Sequence, residues 1–286
     1  MTQLHTLRIA PNVPVFDLPI TVAREHGLFE KRGLKVEFVD RHDPLTSSRD
    51  AFQRQKESLY ECGKADAYNL CEWAGLDRSD RSARGSRVFA LRPAVVAQVI
   101  LSFDPAIQEL RDLAGVPIGI NEFTGSHYTA LQFLDGALPR EQVVLEHVGE
   151  PYVRYEQLKA GTLRAASLME PYVSLALKEG AHIIGVNFYR GAEVISPDLP
   201  VDLREAYLAA VNEASALIEA DRGRYKHHLI TAPIRGRIEP AEIGDAFFRY
   251  APSRPMDEDR FAYTAQWMGS WGLDLRRDQY QDLVVL

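Results

Sequence analysis

Short apolar runs bounded by turn residues recur along the chain at 7–10, 35–39, 95–101, 143–148, 165–169 and 182–186. Their length and flanks predict β-strands. Between them the apolar spacing changes to that of helices. Ile20 and Ala23 share a face opposite Arg24 and Glu25, and Gly27 is a natural left-handed stop for that helix. Further helices are predicted over 47–60, 127–138, 155–160, 174–179, 247–250 and 261–271. Leu203, Tyr207, Leu208, Val211, Ala214, Leu217 and Ile218 mark another. Strands alternating with helices throughout, with no internal repeat, predict an α/β protein with mostly parallel sheets.

The segment from Pro19 to Val36 reads P-I-T-V-A-R-E-H-G-L-F-E-K-R-G-L-K-V. It resembles the opening of the substrate-binding proteins of the nitrate/sulfonate/taurine ABC-transporter group, which the thiamine-pyrimidine synthase family shares. Gly63-Lys64-Ala65-Asp66-Ala67 and the stretch from Leu110 to Ile120 resemble later segments of the same group. The resemblance implies a two-lobed periplasmic-binding-protein type II fold with a ligand cleft between the lobes. One lobe would comprise 1–94 plus 191–286 and the other 95–190, joined by two crossing segments near 95–102 and 186–196.

Size and composition fit this reading. The chain of 286 residues is long enough for two cores, and 46% hydrophobic with 26% charged residues is ordinary for a soluble globular protein. A net charge of −7 argues against nucleic-acid binding. No apolar run is long enough to span a bilayer, so no membrane insertion is expected. Met1-Thr2-Gln3-Leu4 leads straight into the first strand without a signal sequence. A native start there predicts a cytoplasmic protein; a trimmed one predicts a periplasmic or extracellular protein. Cys62 and Cys71 are wrongly spaced for a disulfide framework or a zinc site and are expected to be reduced and partly buried. No motif calls for a metal or a cofactor.

In such a fold the ligand sits at the carboxyl ends of the strands. Five loops are predicted there. The first offers Asn12 for hydrogen bonding and Phe16 for stacking. The second, 69–75, sets the Glu72 carboxylate beside the Trp73 indole, a pairing suited to an amine or a cationic ring. The third, Thr124-Gly125-Ser126-His127, places hydroxyls and free N–H groups at a helix start, suited to an anion or a carbonyl. It resembles the family's ligand loop. Glu170 with Tyr172 forms the fourth, and Arg190 in 187–190 supplies a carboxylate fork in the fifth.

Two functions are carried forward. One is a solute-binding clamp for a small aromatic or heterocyclic molecule bearing an amine or carboxylate, with an ABC-transporter permease as partner. The other is a cytoplasmic lyase on the same fold, of decarboxylase, desulfinase or pyrimidine-synthase type. It would use His127 with Glu72 or Cys71, and the cysteine-rich run of the yeast-type pyrimidine synthases is absent.

Overall fold

β1 (His5–Ile9), β2 (Leu34–Phe38) and β3 (Ala67–Cys71) form one parallel end of a mixed sheet, in the order β2-β1-β3. β5 (Ile118–Ile120), β6 (Leu145–His147) and β7 (Ala165–Leu168) form the other, in the order β7-β5-β6. Between them run two long antiparallel strands, β4 (Arg87–Ser102) and β8 (His182–Ile195). β3 pairs with β8 and β7 with β4, so these two strands carry the chain from one parallel end to the other. Their register shifts between Leu91 and Val95, a local irregularity of the kind that bends a strand. β9 (Phe248–Tyr250) adds to β4. The structure, a computed structural model, describes residues 4–285. Residues 1–3, on which the reading of a native start rests, and residue 286 lie outside the described residues.

Ten α-helices occur among the described residues. They are α1 (Pro14–Glu25), α2 (Gln55–Glu61), α3 (Glu72–Arg81), α4 (Gly125–Leu134), α5 (Pro151–Lys159), α6 (Tyr172–Lys178), α7 (Val201–Ala220), α8 (Arg222–Tyr225), α9 (Glu258–Ser270) and α10 (Tyr280–Leu283). None is long and apolar enough to cross a membrane. Gly27 and Gly33 take the left-handed conformation (φ +63° and +76°) that ends α1 and turns the chain into β2. A large core joins the β1–β3 end to α1, α3 and α7. A smaller, separate core of Ile100, Leu113, Ile118, Ile120 and Leu134 lies under the β5–β6 end.

Four predicted elements differ. Residues 47–54 are not α-helical: Asp50 caps a short 3-10 helix, Ala51–Gln53, through its bond from Phe52 N–H, and the Arg54 guanidinium turns back onto the carbonyls of Ser48 and Arg49. The helix therefore starts only at Gln55. Residues 247–250 are strand rather than helix, because Phe248 and Tyr250 point inward from β9 while Arg249 points out. The predicted loop 187–190 lies inside β8. The loop 69–75 is divided between β3 and α3, which follow each other without a connection.

Candidate functional site

A cavity at the junction of the two sheet ends, together with the solvent space at its mouth, spans about 430 Å³. Asn12, Val13 and Phe16 reach it from the start of α1, and Leu70, Cys71 and Ala74 from β3 and α3. On the opposite side stand Asn121, Thr124 and Gly125 before and in α4, and Glu150, Pro151 and Arg154 at the start of α5. Gln98 and Tyr189 form its floor from β4 and β8.

Asn12 organises one wall. Its backbone N–H donates to Asp17 (2.6 Å), and its side-chain amide donates to the carbonyl (2.9 Å) and side chain (2.6 Å) of Asn69. Asn69 in turn donates to Asp17 at 2.7 Å. The Asn12 Oδ1 accepts from Lys56 Nζ at 3.1 Å. Lys56 therefore reaches the cavity held by a neutral amide, with no carboxylate pairing it among the described residues.

Arg154 dominates the opposite wall. It is buried, its Nε donates to Ser167 O at 2.8 Å, and its Nη1 donates to Gly149 O. No carboxylate lies within ion-pair distance of it among the described residues. Its second Nη has no protein acceptor among them either. Burial, only partly countered by Glu150, lowers its pKa to about 10, so it stays cationic at neutral pH.

Beside it, the start of α4 is uncapped. Thr124 Oγ1 donates to Asn121 O (2.8 Å) and Ser126 Oγ accepts from Asn121 N–H (2.9 Å), so neither hydroxyl caps the helix. The N–H groups of Gly125 and Ser126 find no acceptor among the described residues, as the first donors of a helix do without a cap. Gly125 is required here, since a Cβ would lie 2.3 Å from Tyr189 Oη. Phe123, just before, holds φ +55°, unusual for a residue with a Cβ. Its carbonyl accepts from Arg78 (2.9 Å) and its N–H donates to His127 Nδ1 (3.1 Å). Residues 42–54 reach across to this side: Glu150 N–H donates to Thr46 O (3.1 Å), and His147 Nε2 bonds Ser47 O (2.8 Å).

Of the side chains singled out in the sequence, Asn12, Phe16, Cys71, Thr124 and Gly125 line the cavity. Glu72 does not: it is buried and pairs with Arg260 on α9 (Oε2 to Nε 3.0 Å). Trp73 is 3% exposed and packs on Tyr128, Tyr189 and Trp267 at 5.7–5.8 Å between ring centroids. Glu170 accepts from Ser174 (Oγ, 2.6 Å) outside the cavity, where burial lifts its carboxyl to about 7. Tyr172 bonds Thr231 (3.1 Å), and Arg190 donates to the carbonyls of Arg92 (3.4 Å) and Pro252 (3.3 Å). Ser126 and His127 lie behind the helix start. Lys56, Gln98, Asn121, Glu150, Arg154 and Tyr189 are cavity residues that the sequence reading missed. Pro151 at the first position of α5, after Gly149-Glu150, was the available signal for a helix start there.

The groups offered for covalent or acid–base chemistry are poorly placed for it. Burial pushes the Cys71 thiol up to about 12, despite its position at the start of α3. Burial first, then the charges of Arg54 and His147, push His127 down to about 4, and its Nδ1 lone pair is already taken by the Phe123 N–H. Cys62 is exposed rather than partly buried. Iodoacetamide at pH 7.5 is therefore expected to label Cys62 and leave Cys71 unmodified in the native protein. Peptide mass spectrometry checks this, and rapid labelling of Cys71 would contradict the thiol assignment.

The topology, two parallel sheet ends bridged by two long antiparallel strands with a cavity between them, defines a periplasmic-binding-protein type II fold. No protein-family model and no curated protein matches the chain. Solved structures do. The alkanesulfonate-binding protein SsuA from Xanthomonas axonopodis pv. citri, bound to MOPS, is similar at TM-score 0.77 and 19% identity, over 97% of this chain and 96% of that one. The periplasmic aliphatic sulphonate binding protein SsuA from Escherichia coli gives 0.76 and 19%, over 98% and 97%. The desulfurization enzyme DSZB gives 0.65 and 17%, over 98% and 96%. At these identities the likeness establishes the fold.

Proposed function

We propose that the protein is a solute-binding clamp for a small organic anion, carboxylate or sulfonate, with an apolar or aromatic body. The observation that carries this reading is Arg154: a buried guanidinium beside the uncapped start of α4, facing a cavity with no carboxylate paired to it. A buried cation without a partner is costly, and an anionic ligand supplies one. Lys56 adds a second cation, and Phe16 with Tyr189 (5.9 Å between centroids) offers aromatic surface to the ligand body. A ligand amine finds less support, because Glu72 is taken by Arg260. The lobes of this reading are 1–94 with 191–286 and 95–190, hinged on β4 and β8, with delivery to an ABC-transporter permease as its partner; the likeness in fold to sulfonate-binding proteins supports that part. The lyase alternative is less favoured: Cys71 meets the cavity as a neutral thiol, and neither Glu72 nor His127 lines it.

The direct test is to purify the protein natively from its own host, denature it, and identify released small molecules by mass spectrometry. One stoichiometric organic acid, returned unchanged after incubation, is expected. Release of a cation or a neutral amine, or conversion of the added compound, would overturn the reading.

A further inference from the structure

A second, narrow chamber adjoins the cavity and shares Asn12, Lys56, Asn121, Thr124 and Glu150 with it. Its own cation is Arg54. This side chain is 3% exposed, its Nε donates to Ser48 O (2.9 Å) and its Nη2 to Arg49 O (3.3 Å), while Nη1 has no partner. No carboxylate pairs with Arg54 among the described residues. Two buried guanidiniums therefore line adjoining chambers of one cleft, each with an N–H group that finds no acceptor among the described residues.

The other charges facing this space do not cancel them. Glu150 is the carboxylate common to both chambers. It sits 3.6 Å from His42, a ring that burial keeps largely neutral. Asp43, at the outer rim, already accepts from Leu45 N–H (2.9 Å) and Thr46 Oγ1 (3.0 Å). Glu57 is the carboxylate whose charge acts most on Arg54, but it is paired with Arg78 at 3.2 Å, and Glu122 adds a weaker opposing charge. Within the chambers themselves Arg54, Lys56 and Arg154 face the shared Glu150 and the hydrogen-bonded Asp43.

We propose that Arg54 forms a second anion subsite, so that the cleft selects dianions: small molecules with two acidic groups on a short spacer, one at Arg154 and one at Arg54. This rests on the anion-clamp reading and narrows it. A guanidinium with a free N–H matches a carboxylate or sulfonate oxygen, and the 42–54 segment that supplies Arg54 is bonded across to Glu150 and His147 on the opposite side.

The test uses propane-1-sulfonate and 3-sulfopropanoate, titrated calorimetrically at constant ionic strength into the full chain and into Arg54→Gln and Arg54→Lys variants. The native protein is expected to prefer 3-sulfopropanoate at least tenfold. Arg54→Gln should weaken 3-sulfopropanoate at least fivefold more than propane-1-sulfonate, and Arg54→Lys should keep most of the preference. Equal affinity for the two probes in the native protein, or a preference that survives Arg54→Gln, overturns the second subsite and leaves the anion clamp standing. Binding of neither probe overturns both. If Arg54→Gln does not fold, the native ratio and the Arg54→Lys variant decide.

Discussion

Arg154→Met is expected to abolish ligand binding while leaving the unliganded protein about as stable as before. The guanidinium makes two hydrogen bonds to backbone carbonyls, with Ser167 O and Gly149 O as acceptors. Losing bonds from a charged donor costs about 1.5 kcal/mol each at the low end. Against this, removing the charge relieves its burial: a pKa lowered from 12.5 to about 10 corresponds to roughly 3 kcal/mol. The two effects offset, so stability should stay within about 1 kcal/mol of the native protein. Binding has no such compensation. Truncating one member of a buried charge pair costs about 2–5 kcal/mol, which at 1.4 kcal/mol per decade is roughly thirtyfold to a few thousandfold in Kd. Calorimetric titration with propane-1-sulfonate and chemical denaturation of the ligand-free variant check the two halves. A variant that binds normally, or one that loses more than about 3 kcal/mol of stability, would make Arg154 a structural arginine.

That contrast shows what was legible in the sequence. The opening strand–helix–strand unit could be read because its signals are local: Gly27 and Gly33 fix the turns, and the apolar spacing on either side fixes the elements. The two crossing strands were visible only in part. Residues 95–101 and 182–186 are their apolar portions, while β4 already begins at Arg87 and β8 runs on through 187–190, which read as a loop. The helix-start motif at 124–126 was also local, so its N–H groups could be anticipated. Arg154 and Lys56 could not, because a cation on a short helix resembles a solvated one until the tertiary structure buries it. Glu72 and Trp73 failed for the converse reason. A carboxylate beside an indole suggests a ligand site, but its partner Arg260 lies 188 residues away, and the aromatic neighbours of Trp73 come from α4, α9 and β8.

The second large effect is on stability and comes from Arg92. This fully buried side chain donates to Glu193 at 2.7 Å and to the carbonyl of Phe16, and its charge also faces Asp17. It lies across Gly191, where a Cβ would sit 2.5 Å from its Cδ, so the small residue makes room for the ion pair. Asp17 continues the chain to Asn69 and Asn12, and through Asn12 to Lys56 in the cavity. Arg92→Met leaves two buried carboxyl groups without their cation. Breaking a buried pair in this way costs about 3–5 kcal/mol, a fall of roughly 10 °C in Tm for a chain of this size. The penalty should depend on pH in a defined direction. Burial already lifts Glu193 to about 7 and raises Asp17, and loss of Arg92 raises both further. A carboxyl whose folded pKa lies above its unfolded value holds more protons in the folded state. Its favourable contribution is therefore complete below the unfolded pKa and is lost as pH rises through the folded one. The variant should consequently be most destabilised near pH 8 and partly rescued near pH 5.5, where Glu193 is protonated and Asp17 is shifted in the same direction. Denaturant unfolding at the two pH values measures this. An equal penalty at both would mean that the carboxyls stay ionised without Arg92 and that the network is held by its hydrogen bonds alone. A cost below about 1 kcal/mol would mean that Arg92 fills space rather than balances charge.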